Sequence, residues 1–245
     1  MFKNRFVRII LVLLCVGALF LLAMVLFYAN DVRLARQDTP KLFQSALEKY
    51  GSTIKPKDLP DAFRNALLAV EDPAFYQHHG VDLHTPGAGM TTITQGLVKL
   101  LYFPNGFQPG IEKIRQTLIA QYAFDSCISK DDQFLLFLNA CYLGHENGQA
   151  IHGYENGSRV YFSKKFSEIT YDDFLSLVAM HISPNSLKPV MKSNAERVVR
   201  IKEYLSGQRK PSGVLDVDYN GKKSGTFFEE MLMTLLRTVT NSEPE

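Results

Sequence analysis

The sequence has few of the features that mark a β protein or a nucleic-acid-binding protein. It contains no internal repeat and no long run of alternating apolar and polar residues, so we expect a mainly α fold. The net charge is only +2, and Lys3, Arg5 and Arg8 alone contribute +3, which leaves −1 for the rest of the chain. No basic patch interleaved with aromatic residues is present. We therefore expect no nucleic-acid partner.

Cysteine is also scarce. The three cysteines are Cys15, Cys127 and Cys141, and their spacing fits no metal-binding motif. Cys15 lies in an apolar run, where it is expected to act as a small apolar filler. A disulfide between the other two is chemically allowed if the body of the protein is exported. We expect both of them to be free and buried.

The longest apolar run covers residues 9–28, which are twenty consecutive residues without a charge. A helix of this length spans roughly 30 Å, the thickness of the hydrocarbon core of a bilayer. The alternative is a cleaved signal peptide, but such peptides usually have an apolar core of about 7–15 residues and a small-residue cleavage site. We expect an uncleaved transmembrane anchor. The basic residues before it predict a cytoplasmic N-terminus and a body on the other side of the membrane.

The remaining residues have the composition of an ordinary folded domain. We divide the chain into a cytoplasmic tip with the anchor (1–30), a juxtamembrane connector (31–57), a main domain (58–206) and a tail (207–245). Arg197, Arg200 and Lys202 are expected on the exposed side of their helix. Apolar spacing and cap residues predict helices at 42–50, 61–71, 93–102, 111–124, 133–142, 174–181, 195–205 and 227–239, and a short strand pair at 214–219.

Polar residues are unusually dense between two of these helices. The pair Glu71-Asp72 ends an apolar run, and Phe75, His78 and Asp82 follow at short steps. A carboxylate at the end of a buried helix is partly desolvated, which raises its pKa toward the range that a general base needs at pH 7. The plainer interpretation of Glu71 is a solvated acid at a helix end. The crowding of acids and a histidine in one loop favours a site.

His78 and its neighbour His79 could instead bind a metal. Adjacent histidines point in different directions, and the sequence contains no histidine–carboxylate spacing of the zinc-hydrolase kind. We favour a structural role in which His78 braces the loop.

A glycine- and threonine-rich segment at 87–95 precedes the helix predicted at 93–102. Backbone N–H groups at such a helix start suit an anionic ligand, although the plainer interpretation is a hydroxyl-capped helix. No Walker lysine pattern is present, which argues against a nucleotide. Lys99, Lys113 and Arg115 follow, and they could face the same cleft as a clamp for a polyphosphate.

These residues carry a resemblance to a known family. EDPAFYQHHGVD resembles the first motif of the peptidoglycan glycosyltransferases (glycosyltransferase family 51), E-D-x-x-F-x-x-H-x-G-x-D. GMTTITQGLVK resembles the second motif, G-G-S-T-I-T-Q-Q-L-V-K. The segments 137–144, 161–165 and 169–189 are similar to later motifs in the same order, so the resemblance covers roughly 55–205.

The resemblance implies a mainly α, lysozyme-like domain of the monofunctional type, anchored in the inner membrane with its domain on the outer face. Such an enzyme polymerises lipid II with inversion, with Glu71 as the base and Mg²⁺ or Mn²⁺ assisting the pyrophosphate. Its partners would be lipid II, the growing glycan strand, the membrane and other cell-wall synthesis proteins. The substrate-binding residues implied are Asp72, Phe75, His78, Asp82, Thr91, Thr92, Thr94, Gln95, Lys99, Lys113, Arg115 and Thr117.

Two departures from the family pattern keep alternatives open. Thr117 stands where a second catalytic Glu is expected, and the connector at 82–89 is shorter than usual. A first alternative is a catalytically impaired relative that binds lipid-linked glycan or scaffolds a cell-wall complex. A second is a glycan-cleaving enzyme with Glu71 as general acid, which would need Asp72 or Asp82 as its second carboxylate.

Overall fold

The computed structural model describes residues 2–108, 110–219 and 227–240, with side chains described from Val7 onward and, in the last segment, from Met231 onward. Part of the predicted tail and the side chains of Lys3 and Arg5 therefore lie outside the described residues. The helices are α1 (Phe2–Tyr50), α2 (Asp61–Glu71), α3 (Ile93–Tyr102), α4 (Ile111–Ile119), α5 (Asp125–Cys127), α6 (Lys130–Ala140), α7 (Tyr154–Phe162), α8 (Tyr171–Ala179), α9 (Lys192–Leu205) and α10 (Phe227–Thr240). A mainly α fold is confirmed.

The first helix is longer than predicted. It runs without a break through the apolar segment and residues 42–50, so the piece predicted at 42–50 is helical but continuous with the anchor. Pro40 lies inside the helix and cannot donate a backbone hydrogen bond to Arg36. The Sγ of Cys127 lies 3.9 Å from the carbonyl oxygen of Arg36 and contacts it instead, while Thr39 donates to Ala35 at 2.7 Å. Neighbouring groups thus satisfy the helix around the proline.

Helix α1 is long and apolar enough to cross a membrane. Its candidate span, Val7–Tyr50, contains a window with a mean hydropathy of 3.3 of which no residue is buried within the protein. Past the apolar part, the same helix packs on the main domain, where the hydroxyl of Tyr102 donates to Ala35 at 3.1 Å. A single helix therefore joins the candidate anchor to the domain.

Side-chain caps define the starts of α3, α6 and α8. Helix α3 has the predicted bounds, and Ser129 and Thr170 each accept a hydrogen bond from the backbone N–H of the third helical residue. The predicted helix at 111–124 differs, because it changes at Ala120–Phe124 to a π-helical turn. The predicted strand pair at 214–219 is wrong. The two strands instead form a hairpin in the glycine-rich region, β1 (Tyr142–Glu146) with β2 (Gln149–His152).

The cysteine prediction is confirmed in part. Among the described residues all three are free, and Cys141 is buried as expected. Cys127 is exposed, because it lies at the end of the short helix α5, beside α1.

A polar link fastens the end of the connector to the core of the main domain. Asn139, near the end of α6, accepts a hydrogen bond from the N–H of Ile54 at 3.0 Å and donates to the carbonyl of Ile54 at 2.8 Å. Gly153, which directly follows β2, lies against the backbone of Asn139. Its φ is +77°, and a Cβ there would lie 2.4 Å from the carbonyl oxygen of Asn139. The sharp turn after β2 therefore requires a glycine.

We expect Asn139→Ala to lower the free energy of unfolding by about 2–3 kcal/mol, because it leaves a buried N–H and a buried C=O of Ile54 without partners. Denaturant unfolding measures the change. The matched control is Asn156→Ala, since Asn156 is exposed and its side chain donates one hydrogen bond to His152. Equal losses in the two variants would contradict this account of Asn139.

Candidate active site

Glu71 is the last residue of α2, and its side chain is 17% exposed. Among the described residues its carboxylate has no hydrogen-bond partner, and the one basic side-chain nitrogen within 4.0 Å is Nδ1 of His181. Burial raises the pKa of Glu71 to about 8, against the opposing charge of Arg197 and with a contribution from Asp72. The desolvated carboxyl expected from the sequence is present.

His181 faces Glu71 as a neutral imidazole. Burial and the nearby charge of Arg197 lower its pKa to about 3. Its Nε2 is hydrogen-bonded to the hydroxyl of Tyr154 at 2.8 Å, and burial raises the pKa of that hydroxyl, so the tyrosine remains protonated. A neutral histidine gives Glu71 no counter-ion, which keeps the carboxyl pKa high.

Asp72 builds the loop that follows Glu71. It is fully buried, and its Oδ1 lies 2.8 Å from Nε2 of His78 while its Oδ2 accepts the N–H of Ile93 at 2.9 Å. This contact agrees with the bracing role predicted for His78. Asp82 caps the next turn by accepting the N–H groups of His84 and Thr85, both at 3.0 Å. Although burial acts to raise the pKa of Asp82, these two N–H donors hold it below its usual range.

The threonine and glutamine side chains of the second motif support α3 from inside. Thr92 and Gln95 form a reciprocal cap, and Gln95 also donates to Thr117 at 3.0 Å. Thr94 donates to Gln133 at 2.7 Å, and Phe75 packs in the core. These side chains are buried, so their described contacts are within the protein. Their roles in substrate binding stay predictions.

Lys113 of α4 and Lys99, in the last turn of α3, form what we call the cationic wall. Lys113 is only 6% exposed, and its Nζ donates to the hydroxyl of the exposed Thr91 at 3.1 Å. Burial and the neighbouring charge of Lys99 lower the pKa of Lys113 to about 7. An anion placed here would favour the charged form of both lysines.

Arg115 does not belong to this wall. Its Nε and Nη2 atoms bind the carboxylate of Asp31 on α1, at 2.7 and 3.0 Å. The expectation that Arg115 faces the cleft is therefore corrected: it fastens α4 to the anchor helix.

Thr117 occupies a closed position. It is fully buried, donates to the carbonyl of Lys113 at 2.7 Å and accepts from Gln95. The nearby acids do not replace the missing glutamate, because Asp125 binds Lys130 at 2.7 Å and Glu112 accepts from the N–H of Gln108. Across the described ranges, no three His, Cys, Asp or Glu side chains converge as metal ligands. The described residues thus offer no set of three protein ligands for a divalent cation.

The sequence analysis missed two residues next to Glu71. Arg197 was expected to be exposed, but it is 1% exposed, which corrects that prediction. The apolar Val198 and Ile201 indicated the buried side of α9, but the polar Arg197 gave no such signal. His181 had no comparable signal, because it follows α8 and its neighbours in the sequence do not reveal Glu71.

A separate surface groove of about 480 Å³ lies between α2 and α6. It mixes basic and acidic side chains, and none of the predicted site residues lines it. Its lining residues are Ser52, Lys55, Pro56, Lys57, Arg64, Tyr76, Asp131, Asp132 and Leu135. We assign the chemistry to Glu71 and its surroundings.

The raised pKa of Glu71 predicts a pH-dependent stability. Between pH 4.5 and about 8 the folded protein holds a proton on Glu71 that the unfolded chain has released, so the free energy of unfolding falls as pH rises through this window. Glu71→Gln removes this dependence. The stability of the variant relative to the natural protein should increase by on the order of 3 kcal/mol from pH 5 to pH 9.

Denaturant unfolding at several pH values measures this difference. Glu196→Gln is the matched control, because Glu196 is an exposed acid paired with Lys192 on the surface of α9. A difference for Glu71→Gln that does not change with pH would show that the carboxyl titrates normally.

A model of the transglycosylase family matches residues 39–207, which is more than half of the chain. The match includes α2, α3, α4 and the residues that surround Glu71. It begins at Thr39, inside α1, and so extends further toward the N-terminus than the predicted main domain.

Several penicillin-binding proteins are similar to this chain. Penicillin-binding protein 1A of Neisseria cinerea is 30% identical over 161 residues, which cover 60% of this chain and 19% of that protein. Penicillin-binding protein 1F of Bacillus subtilis (strain 168) is 28% identical over 183 residues, which cover 69% of this chain and 25% of that protein. The chain thus spans about a fifth to a quarter of the length of these relatives.

The resemblance to peptidoglycan glycosyltransferases is confirmed by these matches, and with it the helical, lysozyme-like fold. The low identities agree with a divergent member. With its apolar first helix and its relatives among penicillin-binding proteins, the protein is a membrane-anchored one. This chain belongs to the transglycosylase family.

Proposed function

We propose that this protein polymerises the glycan strands of peptidoglycan from lipid II, with Glu71 as the general base. The observation that carries the proposal is a desolvated carboxyl at the end of α2, with a pKa of about 8 and no charged partner among the described residues. A base whose pKa lies near the working pH is efficient, because it is partly ionised and still binds a proton strongly.

The reaction needs one proton acceptor and one stabilised leaving group. The 4-hydroxyl of the acceptor sugar attacks the anomeric carbon of the chain carried on undecaprenyl pyrophosphate, and Glu71 takes the hydroxyl proton. A new C–O bond forms as the bond to the pyrophosphate breaks, with inversion at carbon. In this proposal His181 stays neutral and leaves the Glu71 carboxylate free to accept the proton.

Lys113 and Lys99 would bind the departing pyrophosphate. The pKa of about 7 for Lys113 would rise when the anion binds, so that the lysine becomes fully charged as negative charge develops opposite it. The expected Mg²⁺ or Mn²⁺ stays a prediction. Since the described side chains supply no carboxylate set for such an ion, no step of this mechanism uses it.

The substrate and the anchor suit each other. A lipid-linked donor stays in the bilayer, and α1 would keep the domain beside it. We place the N-terminus in the cytoplasm and the domain on the outer face of the inner membrane, because the basic residues precede the apolar run. Other cell-wall synthesis proteins are further partners in this proposal.

A second candidate is a relative that binds lipid-linked glycan without polymerising it. The observation that favours it is Thr117, a buried hydroxyl where the family pattern has a glutamate. Loss of one such charged group commonly costs on the order of 10²–10³ in rate.

We expect Glu71→Gln to lower glycan polymerisation by at least about 10²-fold, because the amide cannot accept the hydroxyl proton. The assay incubates the purified full-length protein with labelled lipid II and Mg²⁺ or Mn²⁺, with Glu196→Gln as the matched control. Lipid II binding without polymer in the natural protein would favour the second candidate. In that case, activity restored by Thr117→Glu would show that the missing glutamate at position 117 causes the loss of polymerisation. Shortened glycan would indicate a cleaving enzyme.

Lys113→Met should weaken inhibition by inorganic diphosphate on the order of 10–100-fold, because a charge-assisted hydrogen bond to the leaving group is lost. Inhibition of polymer formation measures this effect. Lys202→Met is the control, since Lys202 of α9 forms a surface ion pair with Asp172 of α8. Equal inhibition of the Lys113→Met variant and this control would remove Lys113 from the diphosphate site.

A further inference from the structure

Residues 211–219, which we call the strap, return to the glycine segment of the site. This part of the chain lies beyond the family match, which ends at residue 207. The N–H groups of Gly87 and Gly89 donate to the carbonyls of Gly213 and Val214, at 2.9 and 2.7 Å. A Cβ on Gly87 would lie 2.8 Å from Pro211, so the close approach of the two segments depends on a glycine there.

The end of the strap reaches α9, whose Tyr204 hydroxyl donates to the carbonyl of Ala69, two residues before Glu71, at 3.1 Å. The ring of Tyr219 stacks on Tyr204, with centroids 4.1 Å apart and planes 4° apart. One nitrogen of the Arg197 guanidinium, Nη1, donates to the carbonyl of Val217 at 3.0 Å and to the carboxylate of Asp218 at 2.8 Å. The strap is therefore bound to α9 by a stacked ring and by a charge-assisted hydrogen bond.

Arg197 lies within electrostatic range of two acids. Its charge acts on Glu71, yet within the described residues no guanidinium nitrogen lies within 4.0 Å of the Glu71 carboxylate. Its Nε–H is buried and has no described hydrogen-bond partner. The guanidinium of Arg197 thus has an Nε–H donor without a described partner, while its Nη1 is bound to Asp218. Asp218 is 45% exposed, so its ionised form is solvated and costs less than an ionised Glu71.

We propose that Asp218 is a positioning residue for Glu71: by binding Arg197 it prevents an ion pair between Arg197 and Glu71, which leaves the Glu71 carboxylate free to accept a proton. An Arg197–Glu71 pair would stabilise the ionised acid and make it a weaker base. The role of Asp218 in the reaction rests on the proposed function. The competition between the two acids for Arg197 does not.

The first test is an infrared titration of the Glu71 carboxyl. Each variant is compared with the same variant carrying Glu71→Gln, and the difference isolates the band of Glu71. We expect the pKa of Glu71 to fall by at least about one pH unit in both Asp218→Asn and Asp218→Ala, because the freed guanidinium pairs with it. The other groups that act on or face Glu71, which stay unchanged, are Asp72, Cys141, Tyr154, His181 and Tyr219.

A double-mutant cycle separates this effect from the direct field of Asp218. In an Arg197→Gln background, Asp218→Asn should leave the Glu71 titration unchanged. The matched control is Asp172→Asn. Asp172 is a surface acid of α8 that is paired at 2.7 Å with Lys202, which lies on α9 as Arg197 does. A shift that persists without Arg197, or that the control reproduces, overturns the inference.

If Arg197→Gln does not fold, a crystal structure of Asp218→Ala decides the question. An Arg197 nitrogen within hydrogen-bond distance of Glu71 supports the inference, and an unmoved guanidinium overturns it.

Polymerisation assays across pH then test the link to function. In Asp218→Asn the rate profile should shift to lower pH together with the infrared titration, and Asp218→Glu should restore both. A shifted titration in a protein that forms no polymer would support the positioning role and contradict the proposed function.

Discussion

Both oxygens of the fully buried carboxylate of Asp72 are bound, and the rest of the site depends on this. One oxygen contacts the imidazole of His78 and the other accepts the N–H of Ile93. The two contacts join the end of α2 to the start of α3 across the intervening loop. Because Glu71 directly precedes Asp72, its direction follows from the same anchor, and the fixed negative charge also helps to raise its pKa. Burying a charge in this way is stable only because each oxygen has a hydrogen-bond partner.

Most of the polar side chains in the two sequence motifs serve the frame of the site. Thr92, Thr94 and Gln95 are buried and bonded to other parts of the protein, as is Thr117. The groups left to act on a ligand are few: one carboxyl, two lysines and the hydroxyl of Thr91. A rigid frame with few reactive groups is what preorganised electrostatics requires, since the frame bears the cost of holding charges in place before substrate arrives.

Local signals were enough to predict much of this frame. The bounds of α3 and the caps at Ser129 and Thr170 follow from short-range chemistry, in which a hydroxyl satisfies a free N–H group at a helix start. The raised pKa of Glu71 followed from its place at the end of an apolar helix. What the sequence did not reveal was set by distant partners. Arg115 turns to Asp31, and Arg197 turns to a strap some twenty residues further along the chain. The π-helical turn at Ala120–Phe124 has no sequence signature of its own.

The unbroken first helix has a mechanical consequence. A flexible linker would let a catalytic domain reorient freely at the membrane surface. A continuous helix of 49 residues, about 70 Å long, is instead a rigid rod. The Arg115–Asp31 pair and the Tyr102 hydrogen bond hold the domain against the side of this helix. Glu71 would therefore stay at a nearly constant height above the lipid headgroups. Helix α1 and the domain would rotate about the membrane normal as one unit.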